Sequence, residues 1–154
     1  MLEQTALRIG LLASPPPAEQ MEALLDGLLT PDESMIRGPD GMEPLSWRRE
    51  AEPDVLFLEA AHGGMELAGE LQTEADPLPV VLLVDNYEQV LDGYRLSVKR
   101  CLMMPPERER LEEILRFCRG AYGRKSFRVP LPSGETCVIQ LGEILWFRGC
   151  GHKI

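Results

Sequence analysis

The sequence predicts an α/β fold: a doubly wound, five-stranded parallel sheet with helices on both faces, followed by a short β-rich tail. Three observations carry this expectation. Val55-Leu56-Phe57-Leu58 is an unbroken apolar run, as expected of a central strand covered on both faces, and it ends in Glu59. Short apolar runs alternate with helix-spaced segments from Ala6 to about Ala121. After Gly123 the helical spacing stops and short strand-like runs take over.

Each element has its own signal. Ala6–Ala13 reads as a first strand through Leu7, Ile9, Leu11 and Leu12. Ser14-Pro15-Pro16-Pro17 stops it, with Ser14 placed to cap the helix that follows and the prolines suited to a loop and first turn. Met21, Leu24, Leu25, Leu28 and Leu29 give Ala18–Leu29 a helical face. Met35-Ile36 forms a short second strand, Gly38-Pro39-Asp40-Gly41 a turn, and Pro44–Glu52 a second helix anchored by Trp47. The Glu59 strand follows, then a Gly63-Gly64 loop and a helix from about Met65 to Leu71. Val80–Val84 is the fourth strand, Tyr87–Leu96 a helix, and Val98–Met103 the fifth strand. The last helix, Glu107 to about Ala121, places Leu111, Ile114, Leu115 and Cys118 on one face. In the tail, Phe127–Leu131 and Thr136–Ile139 flank a hairpin turn at Pro132-Ser133-Gly134-Glu135, and Ile144-Leu145-Trp146-Phe147 makes a third strand. That tail is too short to bury a core of its own. The division expected is therefore a domain over 1–122 and an incomplete module over 123–154.

Bulk properties narrow the function. No apolar run is long enough to span a membrane, and no basic-then-apolar leader opens the chain, so a cytoplasmic protein without a membrane partner is expected. Residues 1–120 carry 11 basic and 23 acidic side chains, a balance of −12, while residues 121–154 carry 5 and 2, a balance of +3. An acidic body repels nucleic acid, so any affinity for it must come from the basic tail. The cysteines at 101, 118, 137 and 150 form no CxxC pair and no His cluster accompanies them, so reduced thiols are expected and no metal site.

A buried strand ending in a carboxylate, then an apolar strand, then a strand leaving through Met104-Pro105, resembles the receiver domain of bacterial response regulators. The stretch Leu78–Leu111 is similar, without gaps, to receivers of the LytTR type. Pro79-Val80-Val81-Leu82-Leu83-Val84 matches their fourth strand, Tyr94 the aromatic switch position, and Leu102-Met103-Met104-Pro105 the leucine-X-lysine-proline exit. The tail from Thr136 to Ile154 is similar to the opening of the LytTR DNA-binding domain. The resemblance implies a flavodoxin-like, CheY-like sheet in the order 2-1-3-4-5. It also implies a homodimer formed through the fourth helix, fifth strand and fifth helix.

The resemblance further implies where phosphoryl chemistry would reside, and there the chain departs from the family. Ala13 and Ser14 stand at the acid-pair positions, Glu59 at the phospho-acceptor, Val84 at the hydroxyl and Met104 at the lysine. A divalent cation needs several oxygen ligands, and the developing charge needs a cation and a hydroxyl. A receiver that does not take phosphate is expected, with no cofactor, no metal and no small-molecule substrate. Glu59 then reads as either a partial mimic of the phosphorylated state or a solvated strand-end acid. Tyr94 reads as a rotameric switch or a core-edge aromatic.

His152 and Lys153 fall in the loop that reaches DNA in the family, or at a frayed end. DNA binding is expected only where the LytTR domain is complete. The alternatives are a stand-alone protein-interaction module, and an enzyme using Glu59 as acid or base. The enzyme reading suffers because Ala13, Val84 and Met104 offer Glu59 no hydrogen-bonding partner. No glycine-rich phosphate loop follows the first strand either.

Overall fold

The computed structural model describes residues 2–38, 44–130, 132–134 and 136–140. Its first half runs β1 (Leu2–Ala6), β2 (Arg8–Leu12), α1 (Pro15–Leu28), β3 (Ser34–Arg37), α2 (Pro44–Ala51) and β4 (Val55–Glu59). It continues with α3 (Gly64–Gln72), β5 (Val80–Val84), α4 (Tyr87–Arg95), β6 (Arg100–Met103) and α5 (Arg108–Tyr122). β7 (Arg124–Pro130) and β8 (Thr136–Gln140) complete the described elements. Five strands form one parallel sheet in the order β3-β2-β4-β5-β6, which is 2-1-3-4-5 counted within that sheet. This is the CheY-like arrangement expected from the sequence.

Alternation along the central strands sends side chains into two cores. Val55 and Phe57 of β4 join Ile9, Leu11, Met21, Leu25, Val81, Leu83, Leu111, Ile114 and Leu115 on the α1 and α5 side. Leu56 and Leu58 join Trp47, Ala68, Leu71, Leu82, Val84 and Val98 on the side of α2, α3 and α4. All five residues of β4 are buried, as a strand covered on both faces must be. Trp47 is the anchor expected for α2, and it requires Gly10. A Cβ on Gly10 would stand 2.6 Å from the Trp47 ring.

Cys118 lies in the α1 and α5 core, where burial pushes its thiol up to about 11. Burial also raises the thiol of Cys101. Neither forms a disulfide.

The element ends differ from expectation in three informative places. The expected first strand over Ala6–Ala13 begins only at Arg8. Leu7 divides it from β1, which belongs to another sheet. The first helix begins at Pro15 rather than Ala18, because prolines lacking an N–H cost nothing in a first turn whose donors have no helical partner. The fifth strand begins at Arg100 rather than Val98. The Val98 N–H instead closes the end of α4 on the Gly93 carbonyl at 2.9 Å, after Ser97 turns through the left-handed region at φ 69°.

The second sheet was only half expected. β7 and β8 form the predicted hairpin, pairing Pro130 with Thr136 and Ser126 with Gln140. β1 adds antiparallel to the other side of β7, with Leu2 opposite Arg128 and Ala6 opposite Arg124. The start of the chain thus completes a sheet begun after α5. The expected strand at Ile144–Phe147 lies outside the described residues.

Candidate functional site

Parallel strands of one sheet end along one edge, and the turns there bring distant residues together. Glu59 closes β4 at that edge, with a side chain only 10% exposed. Ser14 occupies the turn between β2 and α1. It stands at the N-cap of α1 yet makes no side-chain cap bond. Its hydroxyl faces Glu59 instead, 2.9 Å from Oε1 and 2.8 Å from Oε2. The expected capping role of Ser14 is thereby corrected: the nearly buried carboxylate outcompetes the helix N–H groups for the one hydroxyl proton. Replacing Ser14 with alanine is expected to cost about 1–3 kcal/mol, read by urea unfolding, because the Glu59 carboxylate loses its donor.

His62 is the residue that sequence reading missed. It sits three positions beyond Glu59, at φ 54°, with Nε2 3.7 Å from Glu59 Oε1 and its ring largely exposed. Gly63 follows at φ 87° in the N-cap position, just before α3. A Cβ on Gly64 would collide with the Glu59 carbonyl oxygen, so glycine is what lets α3 begin directly over the strand end. The clue was a His within a short loop after a strand-end acid. Glu59 finds its partners elsewhere than at the three positions weighed from sequence: Ser14 bonds it and His62 stands nearby.

Ala13, Val84 and Met104 lie along the same strand-end edge as Glu59 and bring no polar side chain to it. Ala13 is half-buried and packs on the α1 and α5 core. Val84 is fully buried at the end of β5. Met104 is half-buried and ties its N–H to the Val84 carbonyl at 2.8 Å, and the Met104–Pro105 peptide bond is cis. Tyr94 points outward, 76% exposed on α4. His152 and Lys153 lie outside the described residues.

A second feature lies beside this edge. Tyr87, Leu91 and Tyr94 line the outer face of α4 at helical spacing, and all three are exposed. Next to them a groove of about 780 Å³ runs between α4, β6 and the start of α5. Val90, Val98, Met103 and Pro105 form apolar walls, with Lys99 and Arg110 among the charged lining residues. α4 itself is firmly capped. The Asn86 side chain accepts from the Gln89 N–H at 2.9 Å, and the Gln89 side chain accepts from the Asp85 N–H at 2.7 Å.

No family model matches this chain, and no curated protein matches it. Solved structures do. The signal receiver domain of a DNA-binding response regulator from Colwellia psychrerythraea superposes with a TM-score of 0.64 at 15% identity, covering 72% of this chain and 96% of that one. A response regulator from Thermotoga maritima gives 0.61 at 11% identity, covering 75% and 98%. NtrX from Brucella abortus gives 0.63 at 18% identity, covering 76% of this chain but 27% of that longer one. At such identities the likeness shows the receiver fold alone. Among the described residues no helix is long and apolar enough to cross a membrane.

Proposed function

We propose that this chain is a response-regulator-like regulator whose receiver domain does not accept phosphate. It acts through protein contacts, and a form with a complete LytTR-type domain also binds DNA to control transcription. The observation that carries this reading is the setting of Glu59: a nearly buried carboxylate held by Ser14, beside an alanine, a valine and a methionine. Phosphoryl transfer to a carboxylate needs a cation-binding acid pair, a hydroxyl for the phosphoryl oxygen and a positive charge for the transition state. Ala13, Val84 and Met104 supply none of these. The Ser14 hydroxyl is engaged with the carboxylate itself.

A small phosphoryl donor with magnesium is therefore expected to leave the intact mass unchanged. Glu59→Asp alone is expected to stay unlabelled too, because Ala13 and Ser14 still hold no metal. An adduct on the unaltered chain would overturn the reading.

The contact surface proposed is the face of α4, β6 and α5, joining two copies. Tyr87, Leu91 and Tyr94 offer the aromatic and apolar side chains that dominate interface energetics. Leu91→Glu places a charge at the centre of that stripe. It is expected to convert a dimer to a monomer in sedimentation velocity while leaving the circular dichroism unchanged. The same exposed stripe also favours a second reading, a stand-alone interaction module that docks on another protein without DNA. A purified chain that is monomeric with or without the substitution favours this second reading.

A further inference from the structure

We propose that Asp54 is a latch that holds the antiparallel sheet β1-β7-β8 in one orientation against the five-stranded body. Among the described residues, two single-residue connections join them. Leu7 separates β1 from β2, and Gly123 separates α5 from β7. Both are anchored on the side of the body: Leu7 is buried in the α1 and α5 core, and the Gly123 N–H bonds the Cys118 and Arg119 carbonyls at 3.1 Å. The direction of the sheet beyond these two anchors is set by the contacts around them.

Both connections converge on one carboxylate. Asp54 precedes β4, at the end of the sheet opposite Glu59. Its Oδ2 accepts the Arg8 N–H at 2.8 Å, just after Leu7. Its own N–H donates to the Arg8 carbonyl at 2.7 Å. Its Oδ1 accepts from Arg124 Nε at 2.9 Å, just after Gly123. The second arm of Arg124 reaches the Glu52 carbonyl at 3.3 Å. Glu52 presents that carbonyl from a left-handed turn at φ 45°, and its carboxylate stands 3.8 Å from Arg8.

The geometry suits a latch rather than a surface ion pair. The Asp54 side chain is 12% exposed and that of Arg124 34%, so the pair is partly withdrawn from water. Asp54 uses one oxygen for each connection, and Arg124 uses two nitrogens for two acceptors, which fixes angle as well as distance. α5 lies against β1 and adds a third restraint. With the latch closed, the β1-β7-β8 sheet keeps one direction relative to the body. With it open, the sheet turns about Leu7 and Gly123.

Residual dipolar couplings of the full chain, labelled with nitrogen-15, test this, since they read the orientation of one sheet against the other. Arg124→Gln removes the latch arm without touching either core, and Asp54→Asn removes the charge that receives it. In the unaltered chain the amides of β5 and β6 and those of residues 2–6 and 124–129 are expected to fit one alignment tensor. In both variants the tensor of residues 2–6 and 124–129 is expected to fall to about half that of β5 and β6 or less. One common tensor in the variants would overturn the proposal. So would loss of spectral dispersion in β5 and β6, since that is loss of the whole fold. If Asp54→Asn fails to fold, Arg124→Gln alone decides.

Discussion

Arg119→Ala is expected to destabilise the fold by about 3–5 kcal/mol, because it strands a carboxylate that water cannot reach. The Glu33 side chain is fully buried in the loop between α1 and β3. Arg119 on α5 offers Nε to both its oxygens at 3.1 Å, and a second nitrogen to Oε1 at 2.8 Å and to the Leu28 carbonyl at 2.9 Å. The Thr30 N–H adds 3.1 Å to Oε1. Removing the guanidinium leaves one weak donor for a buried charge. Guanidinium unfolding with linear extrapolation measures the loss. The combined change Arg119→Met with Glu33→Gln is expected to recover most of it, since neither charge then remains. A loss below about 1 kcal/mol from Arg119→Ala would mean that Glu33 escapes to solvent.

Phe57→Ala is the other large effect, about 3–5 kcal/mol. Phe57 is wholly buried at the middle of β4, opposite Leu11 on one side and Val81 on the other. It fills the α1 and α5 core that β2, α1, β4, β5, β6 and α5 share, so the cavity cannot collapse without moving several of them. Thermal and urea unfolding read the change. Tyr94→Ala on the exposed face is the control, expected to stay within about 0.5 kcal/mol. Equal effects from the two would contradict the placement of both residues.

The parts of this fold written in local pattern were legible in the sequence. Val55–Leu58 and Val80–Val84 announce buried strands because both their faces are apolar, and Leu111, Ile114, Leu115 and Cys118 announce a helix face. Strand order followed from alternation together with the receiver resemblance. What local pattern does not encode was missed. β1 carries Glu3 and Gln4 among its five residues and has no apolar run. Only pairing with β7 makes it a strand. Arg119 and Glu33 look like surface charges until α5 and the α1–β3 loop meet. At the site, the positions of Glu59, Ala13, Val84 and Met104 came from matching a family pattern. The Ser14–Glu59 bond and the approach of His62 depend on turn geometry, which residue type alone does not specify.

β1 has a consequence for how the chain acquires its structure. Leu2 pairs with Arg128, and everything in the five-stranded body lies between them in sequence. During synthesis residues 2–6 emerge well before their partner strand exists. Domains generally form in the order they are made, so the body can close while this segment is still single. Joining ends so far apart costs loop-closure entropy if the intervening chain is unfolded, and far less once the body has folded and brought Leu7 and Gly123 into place. Strand β1 should therefore dock in the last kinetic phase of refolding. A chain cut after Gly123 should fold its parallel sheet normally and leave residues 2–6 without a partner.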